Sequence, residues 1–154
     1  MNIWEFNRTL AMRLLRNNVI NVWIGNKLRQ REGFWRGVGV QAIGWGVINI
    51  AIGVFGIVTT RRRLDKADDP FDQQLVRKET RNIRLALLVN TPLNFLYMFG
   101  GWKMARRNQD DAFKRGNGWG IILQGAMLFV HDFYHLLNIP SADVPDKKRK
   151  YRSK

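Results

Sequence analysis

From Gly37 to Thr60 the chain runs for 24 residues without a charged side chain, bracketed by Arg36 before it and by Arg61, Arg62 and Arg63 after it. As a helix this segment reaches roughly 35 Å, enough to cross a hydrocarbon core of about 30 Å. A soluble helix that buries one face carries charge on the other at helical spacing, and this segment carries none on any face. Its glycines argue the same way. Gly in a soluble helix costs about 1 kcal/mol relative to Ala, whereas membrane helices use small residues for close backbone approach. Gly33-xxx-Gly37, Ala42-xxx-Gly46 and Gly116-xxx-Gly120 have that packing spacing.

Two further runs follow. Leu85 to Trp102 is uncharged and spans about 27 Å as a helix, and the stems of Arg84 and Lys103 can snorkel to extend it. Gly116 to Ala142 holds one formal charge, Asp132, and both histidines of the chain. Trp35, Trp102 and Trp119 stand near the ends of these runs, where aromatic belts form. The expected fold is all-α, a membrane-spanning helical bundle with spans at about 37–60, 85–104 and 117–139 inside a transmembrane domain of residues 33–142. The overall balance of 45% hydrophobic and 25% charged residues would suit a soluble domain, but the two classes are segregated along the chain. The absence of cysteine excludes a disulfide scaffold, a zinc ribbon and a thiol nucleophile.

Residues 1–32 differ, because Leu10, Leu14, Leu15, Val19, Val22 and Trp23 are interleaved with Arg8, Arg13 and Arg16. On a helical wheel Arg13, Arg16, Ile20 and Lys27 share one arc, while Trp4, Ala11, Leu15, Val19 and Val22 share another. The expectation is an amphipathic helix lying in the membrane interface, apolar side down, with a fourth span or a cleaved transit peptide as the alternatives. Between the first two spans Arg61 to Arg84 forms a mixed-charge loop whose second half, from Asp72, is helix-compatible. Residues 143–154 are too charged to bury anything and are expected to form a basic disordered tail. With three spans, Lys plus Arg number 12 on one side and 14 on the other, which leaves orientation open. With a fourth span the count becomes 14 against 9 and favours both termini in the cytoplasm. The basic flanks are expected to bind anionic lipid. Nucleic acid is not the expected partner of this +14 chain, because its basic residues flank apolar spans instead of converging on one face.

Polar residues inside hydrocarbon are expected to face protein. Gln41 and Asn49 fall near Trp45 on the first span. Asn90, Asn94, Tyr97 and Gly101 form a stripe on the second, and Gly120, Gln124, His131 and His135 one on the third. Pro92 removes a ladder donor and should kink the second span. His131-Asp132-Phe133-Tyr134-His135 is the one constellation with evident chemistry, since histidines at i and i+4 share a face and could ligate a metal, with Asp132 as orienter or ligand. The alternative is a set of polar anchors at the far interface.

The segments GVGVQAIGWGVINIAIGVFG, NTPLNFLYMFGGW and GNGWGIILQGAMLFVHDFYH resemble successive helices of a family of small bacterial integral-membrane proteins of uncharacterised activity. The marks are Trp45-Gly46 with Asn49, then Asn90, Asn94, Tyr97 and Gly100-Gly101, then Gln124-Gly125 with Asp132. The resemblance implies a multi-pass protein of the bacterial inner membrane, with four spans in many members and an acidic residue often standing where Asn49 and Asn94 are. It implies no activity and no cofactor. The functional expectation is therefore a non-enzymatic accessory or oligomeric subunit whose glycine faces, at Gly46 and Gly125, pack on other membrane helices. The alternative is a metal-binding or ion-handling protein using His131, Asp132 and His135.

Overall fold

The computed structural model describes residues 1–142. Among these are four α-helices and no strand: α1 (Ile3–Leu28), α2 (Gly33–Asp65), α3 (Gln73–Arg107) and α4 (Ala112–Leu137). The helices begin where side chains can satisfy their first amides. Asn2 and Glu5 form a capping box at α1, with Asn2 accepting from the Glu5 N–H at 2.9 Å and Glu5 from the Asn2 N–H at 3.2 Å. Asp72 accepts from the amides of Gln74 and Leu75 and so starts α3, at the position from which the sequence reads as helix-compatible. Asp111 caps α4 through the Lys114 N–H, and that bond together with the Lys114 ammonium holds its carboxyl below the usual carboxylate range. Gly33 opens α2 at a φ of 52°, a left-handed conformation that glycine adopts without a Cβ penalty, and this lets a four-residue turn reverse the chain.

Short turns make antiparallel hairpins of α1 with α2 and of α3 with α4, and the hairpins join along α2 and α4. The seam between α1 and α2 is periodic. Asn7, Ala11, Leu14, Asn18, Asn21 and Gly25 are buried at alternating spacings of four and three, facing Gly39, Ala42, Gly46, Asn49, Gly53 and Thr60 at the complementary spacing. Such a 3.5-residue repeat is that of left-handed helix packing, here built from amides and small residues in place of leucines. α2 and α4 approach so closely that a Cβ on Gly116 would collide with the Phe34 carbonyl oxygen, and one on Gly37 with that of Phe113.

Outside and inside are inverted along most of the bundle. Phe55 is 70% exposed, Leu96 64% and Val130 65%, whereas Asn49, Asn94 and Gln124 are each 4% or less. At the end that carries the termini, Ile3, Trp4, Phe6 and Val76 form a buried apolar cluster with Leu64, Ile83 and Ile139 beside it. There the Trp4 indole N–H donates to the Pro70 carbonyl at 2.8 Å, and Arg63 pairs with buried Glu79 at 3.1 Å.

α1 lies lengthwise on α2 as a fourth helix of the bundle, the alternative to a separate interfacial helix, with Asn18 bonded to Asn49 and Asn21 to Ala42 and Gln124. Its buried side is the asparagine stripe, and Val19 of the apolar arc and Ile20 of the basic arc are both half exposed. By length and composition two helices, α2 and α4, are apolar enough to cross a membrane. Residues 143–154, the expected basic tail, lie outside the described residues.

Candidate functional site

The polar interior is arranged in layers along the bundle. Nearest the short turns, Gln41 of α2 donates to the Asn117 side-chain oxygen at 2.8 Å, and Asn117 in turn donates to the Phe113 carbonyl. The next layer joins three helices. The Asn21 amide donates to Gln124 at 2.7 Å and to the Ala42 carbonyl at 3.2 Å, while Gln124 donates back to Asn21 at 3.2 Å. One turn further along α1, Asn49 donates to Asn18 at 3.1 Å, and Asn18 donates to the Leu14 carbonyl. Carboxamides suit this chemistry, because each offers donors and an acceptor without a charge to desolvate.

Toward the end that carries the termini the interior becomes ionisable. Asn94 of α3 donates to Asp132 of α4 at 3.0 Å, and Asp132 is buried. The ring nitrogen Nδ1 of His135 lies 2.7 Å from the His131 carbonyl oxygen. Since a carbonyl only accepts, Nδ1 carries the proton, and in the neutral ring Nε2 keeps its lone pair. The two imidazole centroids are 4.4 Å apart, and both Nε2 atoms are buried without a hydrogen-bond partner. Phe6 meets His135 edge-on at 5.9 Å, and the Arg13 guanidinium lies over the Tyr134 ring at 5.4 Å. A void of about 20 Å³ between α1 and α4, lined by Asn17, Asn18, Gln124 and His131 among others, has the size of one water molecule.

The polar stripes of the sequence thus converge in part. Gln41, Asn49, Asn94 and Gln124 all turn inward and all bond across helices. Trp45 and Tyr97 meet edge-to-face at 4.9 Å, joining α2 to α3. Asn90 is exposed and does not join the stripe. Pro92 is exposed too, and α3 runs through it as one helix. Thr91 donates to the Leu87 carbonyl, one residue before the carbonyl that the proline leaves free. Gly46 and Gly125 face the chain's own helices, Gly46 against Val22 and Asn18, Gly125 against Met98 and Asn94, so their packing role lies inside the bundle. His131, Asp132 and His135 are neighbours, but Asp132 turns to Asn94, and among the described residues no three His, Asp or Glu side chains are gathered as a metal-holding group. What the sequence reading missed is the contribution of α1, namely Asn7, Asn18 and Asn21, together with Asn117. Their signal was the Asn-Ala-Leu-Asn-Asn-Gly repeat at alternating four- and three-residue spacing.

Residues 13–133 match the model of a family described as a family of unknown function (DUF6992). No curated protein and no solved structure matches the chain.

Proposed function

The chain belongs to this family of unknown function, and we propose that it is a four-span protein of the bacterial inner membrane acting as a non-enzymatic accessory or assembly subunit. The observation that carries the reading is the inverted packing, with large apolar side chains on the outside of the helices and amides and glycines in the seams. In water that arrangement leaves apolar area exposed at roughly 25 cal/mol per Å², whereas in lipid the exposed side chains are solvated and the interior amides hold helices together. α2 and α4 have the length and composition to cross a bilayer. α1 and α3 run beside them over the same height and cross with them.

An even number of spans puts the N-terminus, the 61–84 segment and the C-terminal tail on one side. Lys plus Arg in 61–84 and 143–154 number 14, against 9 in 27–36 and 103–115, which favours a cytoplasmic location for both termini. The subunit role is supported by seams in which glycines pack against backbone and Gln41, Asn49, Asn94 and Gln124 each bond across helices.

Because the chain has no cysteine, single substitutions report topology without background. Asp68→Cys and Gln109→Cys variants, in membranes washed with alkaline carbonate, should stay in the pellet and be labelled from opposite sides, Asp68→Cys from the cytoplasm. Release by the wash, or labelling of both from one side, refutes four spans. A second reading, metal binding, is favoured by the His135 Nε2 lone pair beside His131. It requires a metal retained by the purified protein and lost in His135→Ala.

A further inference from the structure

α1 carries charge at the depth where a membrane helix bears it at greatest cost. Asn18 of α1 meets Asn49 of α2, which stands near the middle of the uncharged run 37–60. Ala11 and Leu15 meet Gly53, about one turn further along. Arg13 and Arg16 lie between these contacts, so their backbone sits at the level of Asn49 to Gly53, about 10 to 16 Å from the end of the run at Thr60. Both side chains are exposed on the outside of the bundle, where the Arg13 guanidinium lies over the Tyr134 ring and neither arginine has an anionic partner. With Glu5, Arg8, Thr9 and Met12 they border one open groove on α1.

The ion pairs among the described residues are Arg61–Asp65, Arg63–Glu79 and Lys114–Asp111, and none involves Arg8, Arg13 or Arg16. Arginines facing lipid at this depth are rare, and where they occur they pair or face protein. Glu5, the one carboxylate lining that groove, accepts from the Asn2 N–H at the start of α1, eight residues (about 12 Å) before Arg13, and forms no ion pair with Arg13 or Arg16. The uncharged runs of α2 and α3 hold no carboxylate, and in α4 the one acidic residue, Asp132, is buried and bonded to Asn94. A second copy in the same orientation would set Arg13 and Arg16 against their own equivalents. The tail 143–154 carries six basic residues and two acidic ones, so its net charge does not complement the arginines. Lipid phosphates sit at the bilayer surface beyond the end of the run, within reach of a snorkelling Arg13 stem and further from Arg16.

We infer that the Arg13–Arg16 face of α1 is an assembly surface for a different protein and receives a transmembrane helix bearing a carboxylate at mid-bilayer. The inference rests on the four-span reading and adds the chemistry of the partner. It is tested with the full chain, donor-labelled and reconstituted in phosphatidylcholine vesicles above neutral pH. The probes are acceptor-labelled polyleucine helices of about 20 residues, one all-leucine and one with a single central Asp. Energy transfer should report association of the Asp helix about tenfold tighter than that of the all-leucine helix. The preference should vanish in Arg13→Leu/Arg16→Leu and persist in Arg13→Lys/Arg16→Lys, which keeps the charge.

Equal association of the two probes overturns the inference, as does an Asp preference that survives in the leucine variant. Self-association of the chain that is lost in the leucine variant assigns the face to a second copy and also overturns it. So does stoichiometric phosphatidylglycerol retained by the parent chain and lost by that variant, which assigns the face to lipid. Carbonate extraction of the same vesicles separates the two levels of failure. A chain that washes off overturns the four-span reading and this inference together, and a chain that stays without an Asp preference overturns this inference alone.

Discussion

Gly116→Ala tests the docking of the two hairpins with a single methyl group. A Cβ at this position would collide with the Phe34 carbonyl oxygen and lie 2.8 Å from the Phe34 carbonyl carbon and 3.0 Å from its Cα. Favourable carbon contacts begin near 3.5 Å, and every atom in the way belongs to backbone, so no rotamer change relieves the overlap. The helices must separate, which stretches the 2.8 Å bond between Gln41 and Asn117 one position along α4. Overpacking of this kind costs about 1 to 3 kcal/mol, and the rigid neighbours place Gly116→Ala at the upper end, about 3 kcal/mol. At 1.4 kcal/mol per decade that lowers the folded population relative to the unfolded by on the order of 100-fold. Gly44→Ala and Gly100→Ala are the controls, since a Cβ at either meets nothing within 4 Å. Equilibrium unfolding in mixed detergent micelles, followed by far-ultraviolet circular dichroism, should show Gly116→Ala strongly destabilised and both controls within about 1 kcal/mol of the parent, on the stable side if helix propensity dominates. Equal behaviour of the three variants would refute the close crossing of α2 and α4.

The Asn21–Gln124 pair should couple: in a double-mutant cycle with Asn21→Leu and Gln124→Leu, each single variant strands a buried carboxamide, and an interaction energy of about 1 to 2 kcal/mol is expected. A cycle that closes near zero would show that the two amides do not share their bonds. Phe6→Ala removes a side chain with no exposure from the apolar cluster at the terminal end, so the same unfolding assay should read a loss of about 3 to 5 kcal/mol, and a loss below 1 kcal/mol would mean that the cluster does not pack. Arg63→Leu leaves the buried Glu79 carboxylate without its partner and should destabilise by about 3 kcal/mol, with most of that loss recovered when Glu79→Leu is added. Failure of the second substitution to rescue the first would contradict a specific pair.

Legibility followed chemistry that repeats in three dimensions as it does along the chain. The uncharged core of α2, 37–60, is legible from its lack of charge, but the helix continues through Arg61, Arg62 and Arg63 to Asp65, into the segment expected to be loop, whereas the start of α3 after Asp72 is legible because its composition there is helix-compatible. Gln41, Asn49, Asn94 and Gln124 could be placed inward from the cost of leaving an amide in lipid. Asn90 shares their arc on the wheel but is exposed, because a wheel fixes an angle and not the position of the neighbouring helix. For α1 the wheel separates an apolar arc (Trp4, Ala11, Leu15, Val19, Val22) from a basic one that includes Ile20, but the bundle covers a stripe beside the apolar arc, Asn7, Ala11, Leu14, Asn18, Asn21 and Gly25, which shares Ala11 with it, while Val19 and Ile20 face outward. The Gly46 and Gly125 spacings correctly signalled close packing but could not say whether the helix received there belonged to this chain.

The accounting of interior amides explains why α1 must stand beside α2. Asn49 donates to Asn18, and Gln124 exchanges two bonds with Asn21. Were α1 lying flat at the interface, Asn49 and Gln124 would face a gap in the bundle with their partners withdrawn, and each unmet polar group in an apolar medium costs several kcal/mol. The exposed flank of α1, with Arg13 and Arg16, opposes insertion by a comparable amount if it meets only lipid. Both requirements are met at once when the asparagine stripe is docked on α2 and α4 and the arginine flank is covered by a complementary charge. The same polar content that lowers the hydropathy of α1 below that of a spanning helix therefore supplies both of its attachments, one inside the chain and one outside it.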